Sequence, residues 1–181
     1  LRWVVDPLDG TTNFLKGLPH WCVSIALCQE DEVLAGLVYD PHKRELFTAE
    51  RDNGAYLNGT RIRASAETNF QAALFATGVT AGGRVTYLQA ALEELARLMP
   101  LCAGIRRGGA AALDLAYVAA GRLEGYWERN LGAWDIAAGV LLAKEAGAEV
   151  HPLWKDQSIL SSGSFVVATS PMIKQLRTVI I

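Results

Sequence analysis

The sequence predicts a layered protein in which β-sheets and α-helices alternate. Short apolar runs rich in β-branched residues are separated by turn residues, and four other segments repeat apolar residues at helical spacing. The chain has 181 residues, 51% of them hydrophobic, which is ample for the core of one domain. We therefore expect residues 1–181 to form a single α/β domain of the layered α+β kind.

An initial β-prone run, Trp3 to Val5, is followed by seven predicted strands. Asp6-Pro7 is expected to end the first run, because proline cannot donate to a sheet ladder and disfavours helix at the residue before it. Turns are predicted at Gly54 and at Asn58-Gly59. The other predicted strands cover residues 22–28, 33–39, 45–48, 73–76, 125–127, 149–150 and 164–168.

Four segments carry apolar residues every three to four positions, which predicts helices. These helices cover residues 86–99, 110–120, 134–146 and 171–179. The first has an apolar stripe made of Tyr87, Leu88, Leu92, Leu95 and Leu98, which indicates core or a subunit interface. The third is followed by Gly147, a typical helix stop.

Residues 3–14, WVVDPLDGTTNF, place two carboxylates three positions apart in a predicted turn. Asp6 follows the β-prone run, and Asp9 and Gly10 continue the turn. Residues 11–13 supply side-chain oxygens and the start of a helix, whose free N–H groups can face a phosphate. The stretch therefore indicates a site for metal and phosphate.

The two aspartates suit Mg²⁺, which prefers oxygen ligands in octahedral geometry and often combines one or two carboxylates with substrate phosphate. Two ions about 3.5–4 Å apart would activate a water and stabilise the leaving oxygen of an in-line displacement. The alternative is that Asp6 and Asp9 serve only as turn and helix-cap residues, the common role of Asp-Pro and Asp-Gly pairs. The combination of carboxylates with amide donors favours the metal hypothesis.

Two separated motifs resemble the signatures of the inositol monophosphatase family. They are WVVDPLDGTTNF and WDIAAGVLLAKEAG, the latter at residues 134–147. Three further segments resemble that family in the expected order: PHWCVSIAL at 19–27, NGAYLNG at 53–59 and GGAAALDLAYVAAGRLEGYWE at 108–128. The resemblance covers essentially the whole chain. It implies an α-β-α-β-α sandwich, the fold type shared with fructose-1,6-bisphosphatases and other sugar phosphatases.

The resemblance also implies a metal site. Asp6 and Asp9 would bind metal, and the Leu8 carbonyl oxygen would be a further ligand. Asp135, the aspartate of the second signature, would bind another ion. Thr11 would help to orient the attacking water, so that Asp6, Asp9 and Thr11 form the catalytic set.

A substrate-binding set follows from the same resemblance. Its members are Gly10, Thr11 and Thr12 on the phosphate side and Gly109, Ala110, Ala111, Glu128 and Asp135 on the sugar side. Ala110 departs from the family pattern, which often has a hydroxyl residue there. The alternative for Asp135 is a favourable charge in the first turn of a helix, and the alternative for Glu128 is a solvated surface carboxylate.

The sequence opens at Leu1, inside the first signature. The resemblance implies that an N-terminal helical region and a further metal-binding Glu precede this point, so we expect them to be missing from the sequence. A site without that Glu is expected to hold its metals less well. Both a truncated protein and a longer protein of which this is a part agree with the sequence. Residues 78–86, GVTAGGRVT, are shorter and less charged than the matching family loop.

The leading functional hypothesis is a Mg²⁺-dependent phosphomonoesterase that hydrolyses inositol monophosphate to inositol and phosphate through a metal-activated water. The resemblance implies two or three Mg²⁺ ions, inhibition by lithium, and a homodimer. One alternative is a fructose-1,6-bisphosphatase or another sugar or nucleotide phosphatase, although the TTNF pattern at 11–14 favours inositol monophosphatases. A second alternative, a regulatory protein that binds the transcription machinery, follows from bacterial members that serve in RNA polymerase antitermination complexes.

Charge and hydropathy limit which partners the protein is expected to have. The formal charge of −2 gives no electrostatic footprint for nucleic acid, and Arg106-Arg107 is too small a basic cluster to change that. No apolar run approaches the roughly 18 residues that a membrane span needs, so no membrane partner is expected.

The cysteines and histidines are assigned no catalytic role. Cys22, Cys28 and Cys102 lack metal-ligand spacing, which predicts buried thiols in a reducing cytoplasm. Three scattered histidines are predicted to be surface or turn residues: His20, His42 and His151.

Overall fold

The computed structural model describes residues 1–79 and 87–181. Its strands are β1 (Arg2–Asp9), β2 (Cys22–Gln29), β3 (Glu32–Asp40), β4 (Glu45–Glu50), β5 (Gly54–Leu57), β6 (Thr60–Ile62), β7 (Leu74–Thr77), β8 (Gly104–Arg106), β9 (Gly125–Glu128), β10 (Glu149–Pro152) and β11 (Phe165–Ala168). Its helices are α1 (Thr11–Leu15), α2 (Leu88–Leu98), α3 (Ala111–Ala119), α4 (Ala133–Glu145), α5 (Ile159–Ser162) and α6 (Ser170–Ile180).

The strands form two sheets with helices between them. The first sheet is antiparallel, with its six strands in chain order from β1 to β6. The second has the order β10-β11-β9-β7-β8, and β7 runs parallel to both β8 and β9. Helices α3 and α4 lie between the sheets, and α2 and α6 pack on the far side of the second sheet. The layered α/β prediction is confirmed.

Helix α4 is the centre of this arrangement. Eight consecutive residues from Ile136 to Ala143 are buried, because sheets and helices surround the helix on all sides. Gly36 of β3 permits close contact with it, since a Cβ atom there would lie 2.9 Å from the Cα of Ala138. The close packing holds α4, and with it the start of the helix, against the first sheet.

The opposite face of the first sheet is also apolar. Side chains alternate along β2, so Cys22, Ser24, Ala26 and Cys28 face inward, whereas Val23, Ile25 and Leu27 face outward. On β1, Trp3 and Val5 share that outer face and are 68% and 47% exposed.

No helix in residues 1–79 and 87–181 has the length and apolarity that crossing a membrane requires.

The prediction that Asp6-Pro7 ends the first strand is wrong, because β1 continues to Asp9. Asp6 pairs with Ser24 and Asp9 pairs with Cys22, so β1 has one residue more than β2 in this interval. A bulge on a strand at the sheet edge leaves room for a residue without an N–H group. Proline therefore bends the strand instead of ending it.

The remaining predictions agree with the structure at most boundaries to within two residues. The turn at Asn58-Gly59 is confirmed, whereas the turn predicted at Gly54 lies at residues 51–53 and Gly54 begins β5. The short strands β5, β6 and β8 and the short helix α5 were not predicted. Of the predicted stripe on α2, Leu98 is buried and Leu88 and Leu92 are 39% and 50% exposed. The predicted helix start at residue 86 and most of the predicted short loop at 78–86 lie outside the described residues.

Cys22 and Cys28 are fully buried thiols, as predicted. The prediction is wrong for Cys102, which is only half-buried. It follows the single turn Met99–Leu101 at the end of α2, where the chain crosses the surface toward β8.

Candidate metal and phosphate site

The turn at the end of β1 presents two carboxylates from one strand. The Leu8 N–H donates to Asp6 Oδ1 at 2.9 Å, which fixes the Asp6 side chain within the bulge. Asp9 is 7% exposed and ends the strand. Gly10 follows with a φ of +85°, a conformation that favours glycine, and turns the chain into α1.

Asp9 joins this turn to the start of α3. Its Oδ2 accepts a 2.8 Å hydrogen bond from the Ala112 N–H, one of the first amides of that helix. The same oxygen accepts a longer contact from the Cys22 thiol, 3.7 Å away. Two segments that are about a hundred residues apart in sequence therefore meet at one carboxylate.

Asp135 reaches the same place from the first turn of α4. Its Oδ2 accepts a 2.7 Å hydrogen bond from the Gly132 N–H, and its own N–H donates to the Gly132 carbonyl at 3.1 Å. The Asp135 side chain thus stabilises the start of α4, which is the alternative role that the sequence allows for it. The alternative does not exclude the metal role, because the carboxylate also faces Asp6 and Asp9.

One oxygen each from Asp6, Asp9 and Asp135 lies within 4.8 Å of the other two. Burial, followed by repulsion from neighbouring carboxylates, raises the pKa of Asp9 to about 7. Burial and contact with Asp6 raise the pKa of Asp135 to about 6. The chain thus holds three carboxylates together, with Asp9 buried and Asp6 and Asp135 partly exposed.

This donor set fits a hard divalent cation. Carboxylate oxygens are the ligands that Mg²⁺ prefers, and the three come from two separate parts of the backbone. The Leu8 carbonyl oxygen is in the same turn and accepts a 2.9 Å hydrogen bond from the Thr11 hydroxyl. A cation bound among the carboxylates would offset both the cost of their burial and their mutual repulsion.

The start of α1 lies beside the carboxylates. Gly10 is its N-cap, so the first amides of the helix have no helical acceptor and are available to an anion. Thr11 and Thr12 are exposed at this end. The residues predicted to bind phosphate are therefore adjacent to those predicted to bind metal.

The predicted sugar-side backbone lies at the start of α3. Gly109 has a φ of +86° and is exposed, and Ala110 is the N-cap of the helix. The Ala110 side chain is 1% exposed and packs against Gly10, where a Cβ atom would lie 3.2 Å from its methyl group. Gly109 is therefore the residue of this segment whose backbone is open to a ligand, whereas Ala110 and Ala111 are 1% and 7% exposed.

Glu128 is not the solvated carboxylate of the alternative interpretation. It ends β9, its carboxylate accepts a hydrogen bond from the Tyr126 hydroxyl, and it lies against Gly78 at the end of the parallel strand β7. Burial raises its pKa to about 7. Ligands of α/β proteins commonly bind at the carboxyl ends of parallel strands, which is where Glu128 lies.

Four residues near the site have roles that the sequence did not predict. Ala112 donates to Asp9, and Tyr126 donates to Glu128. His20 pairs with Asp114 through Nε2 and Oδ1, 3.1 Å apart. Asp114 is buried on α3 and His20 follows α1, so this contact connects distant segments and has no local sequence signal.

Comparison with known proteins identifies the class to which this fold and site belong. The profile of the Inositol monophosphatase family matches residues 1–180. The chain therefore belongs to the inositol monophosphatase family.

Individual relatives agree with that membership. An inositol-1-monophosphatase of Rhizobium meliloti is 48% identical over 179 residues, which are 99% of this chain and 67% of that protein. The Nus factor SuhB of Escherichia coli K12 is 43% identical over 176 residues, 97% of this chain and 66% of that protein. The crystal structure of extragenic suppressor protein suhB from Bartonella henselae has a TM-score of 0.93 at 44% identity, covering 99% of this chain and 68% of that one. The chain thus spans about two thirds of the length of these relatives.

The burial of the carboxylates and the repulsion between them predict a stabilising substitution. The raised pKa values mean that the folded protein keeps protons that the unfolded chain releases near pH 4. Without metal, the free energy of unfolding should therefore fall as the pH rises from about 4 to about 7. Asp135→Asn removes one charge, keeps an acceptor for Gly132 and turns an amide toward Asp6. In EDTA at pH 8 it should raise the free energy of unfolding by about 1–2 kcal/mol, allowing for partial exposure.

Urea unfolding in EDTA at pH 8 and pH 5 measures this effect. The gain should shrink at pH 5, where Asp135 is largely protonated. Added Mg²⁺ should stabilise the unmodified protein more than the variant. The control is Asp31→Asn, at an exposed position in the turn between β2 and β3, which should change stability by less than about 0.5 kcal/mol. A metal-free Asp135→Asn variant that is less stable at pH 8 would contradict the argument.

Proposed function

We propose that this protein is a Mg²⁺-dependent phosphomonoesterase that hydrolyses inositol monophosphate to inositol and inorganic phosphate. The observation that carries the proposal is the convergence of Asp6, Asp9 and Asp135 within 4.8 Å, beside the free amides at the start of α1. Membership of the inositol monophosphatase family supports the same activity.

Asp6, Asp9 and Asp135 would hold the metal, two or three ions by the family resemblance, and the Leu8 carbonyl would add a ligand. Bound Mg²⁺ supplies charge neutralisation on the phosphate and lowers the pKa of a water molecule. The residues of the chain position the reactants, which is the main requirement of phosphoryl transfer. Li⁺ is expected to inhibit.

Thr11 suits the role of orienting the attacking water. Its hydroxyl proton is engaged by the Leu8 carbonyl, so the Thr11 oxygen is left as an acceptor for a proton of that water. The amides of Gly10, Thr11 and Thr12 would bind the non-bridging oxygens of the phosphate. The water would form the new bond to phosphorus and lose a proton, the bond to the inositol oxygen would break, and that oxygen would take up a proton to give inositol, with no covalent phosphoenzyme.

The inositol ring would lie between the start of α3 and the end of β9. Gly109 would contribute exposed backbone there, the buried Ala110 and Ala111 would complete that segment, and Glu128 and Asp135 would offer carboxylates to ring hydroxyls. The raised pKa of Glu128 reflects a carboxylate with few water molecules around it, which hydrogen bonds from hydroxyls would stabilise. Fructose-1,6-bisphosphate and other sugar or nucleotide phosphates are the competing substrates.

The metal assignment is tested by Asp9→Asn. This substitution keeps an acceptor for the Ala112 N–H but removes the charge that the cation requires. Mg²⁺-dependent phosphate release from inositol 1-phosphate should fall by more than about 100-fold, a larger loss than removal of a residue that only supports a ligand. Asp31→Asn is the matched control and should leave the rate unchanged. Near-normal turnover by Asp9→Asn would contradict the assignment of Asp9 as a metal ligand.

The substrate assignment is tested by Glu128→Gln. If Glu128 accepts hydrogen bonds from ring hydroxyls, the variant should raise KM for inositol 1-phosphate about 10-fold or more, since hydrogen bonds to charged groups are strong. Hydrolysis of p-nitrophenyl phosphate, which has no ring hydroxyls, should change by less than about twofold. Equal effects on both substrates would mean that Glu128 acts on the phosphate or on folding. That result would contradict the proposed contact between Glu128 and the ring hydroxyls.

A second function is favoured by the relatives that are named Nus factors. SuhB proteins of Escherichia coli and Pseudomonas aeruginosa bear that name at 43% and 45% identity. We propose binding to the transcription machinery as a second role that does not need the carboxylate cluster. Purified RNA polymerase with its elongation factors should retain the unmodified protein and Asp9→Asn equally. Failure to retain either would remove this role and leave the phosphatase proposal standing.

We propose that the protein acts in the cytoplasm as a homodimer. The free, buried thiols of Cys22 and Cys28 support a reducing compartment. The dimer rests on the family resemblance alone.

A further inference from the structure

Asn13 joins the segment after α1 to the segment before α3. Its side chain is in a buried position of α1, with the residue 9% exposed. The amide Nδ2 donates to the His20 carbonyl at 2.7 Å and to the Gly108 carbonyl at 2.9 Å. One side chain thus uses both of its amide hydrogens on backbone groups of two separate loops.

The imidazole of His20 forms a second connection to the same region. Its Nε2 lies 3.1 Å from Oδ1 of Asp114, a residue that is 3% exposed on α3. The ring also packs edge-on against Tyr117, one turn further along that helix, with centroids 5.8 Å apart. A buried carboxylate with a hydrogen-bond donor beside it is costly to disrupt, because removal of the donor leaves a charge unpaired.

The chain at Gly108 and Gly109 passes between these two connections. A Cβ atom on Gly108 would lie 2.5 Å from His20 Nε2 and 2.6 Å from Asp114 Oδ1. A Cβ atom on Gly109 would lie 3.3 Å from Asn13 Nδ2. The two glycines thus let the backbone fit between Asn13 and the His20–Asp114 pair.

The loop that carries His20 is itself held from the opposite side. Lys43 Nζ donates to the Pro19 carbonyl at 2.8 Å and to Asp40 Oδ2 at 2.7 Å. Asp40 is fully buried at the end of β3. Lys43 therefore holds the loop against the first sheet, and His20 connects the same loop to α3.

We propose that Asn13 and the His20–Asp114 pair are positioning residues that hold the Gly108–Gly109 backbone against α1. They do not touch the ligand. They set the distance between the amides after Gly10 and the backbone at the start of α3, so that both reach one phosphate ester. The nature of that ligand rests on the proposed function, whereas the contacts themselves do not.

The contacts explain why two distant segments can share a ligand. The start of α3 is attached to the metal turn directly by the Ala112–Asp9 hydrogen bond, which involves only one end of the loop before the helix. Asn13 fixes the other end through Gly108, and His20 fixes the first turns of the helix through Asp114. Loss of either contact should let the loop move without removing a metal ligand.

Three substitutions test the proposal, with one control. Asn13→Asp keeps the size of the side chain but points carboxylate oxygens at two carbonyls. His20→Leu removes the partner of Asp114, and His20→Gln places an amide near the Nε2 position and should restore the contact. His42→Gln changes an exposed histidine in the turn before β4 and is the control. Thermal unfolding first establishes a temperature at which every variant is folded.

The decisive measurement is the affinity of the protein for inorganic phosphate in the presence of Mg²⁺, by titration calorimetry. His20→Leu and Asn13→Asp should weaken phosphate binding about 10-fold or more and change Mg²⁺ affinity by less than about threefold. His20→Gln should recover most of the phosphate affinity, and the control should match the unmodified protein. KM for inositol 1-phosphate should rise in the same order.

Phosphate affinity within twofold of the unmodified protein in both weakened variants would overturn the proposal, even if their unfolding temperatures fall. So would a His20→Gln variant no better than His20→Leu, or an unmodified protein that binds no phosphate. If Asn13→Asp does not fold, the two His20 variants decide the question. Phosphate binding without hydrolysis by the unmodified protein would remove the proposed function and leave the positioning role intact.

Discussion

Repulsion among three carboxylates is the constraint that the rest of the structure satisfies. Asp6, Asp9 and Asp135 would separate if their side chains were free, yet each accepts a hydrogen bond from a backbone N–H group. Those amides belong to the bulge of β1, to the start of α3 and to the start of α4. The amides hold the charges in place before any cation arrives, so the chain supplies a site that needs little rearrangement.

The packing of the sheets and helices brings these three backbone segments together. Helix α4 is apolar on all sides because both sheets and α3 cover it, and this leaves its first turn at the sheet edge beside β1. The small residue Gly36 shortens the distance between β3 and α4. Two hydrophobic clusters, one on each side of the second sheet, then keep α3 and the carboxyl end of β9 within reach of the same ligand.

Asp6 and Asp9 are the part of the site that has a local signal, because Asp6-Pro7 and Asp9-Gly10 mark a turn by composition. Asp135 and the residues predicted on the sugar side were placed in the site by the resemblance of the sequence to the family. The bulge at Pro7 was not predictable from the run itself, because it depends on β1 being at the edge of its sheet. The His20–Asp114 contact joins residues 94 positions apart, and the burial of Glu128 depends on packing against β7. Such long-range contacts leave no periodicity in the sequence.

The position of β1 has a consequence for how the protein opens. Among the described strands β1 is one of the two edge strands of its sheet and pairs with β2 alone, and Asp6 and Asp9 lie on it. Strands at a sheet edge exchange their amide hydrogens through local openings that leave the core folded. A ligand that binds only the closed form suppresses such openings by mass action. A cation bound to the carboxylate cluster would therefore slow amide hydrogen exchange along β1, since an opening of this strand would separate Asp6 and Asp9 from Asp135.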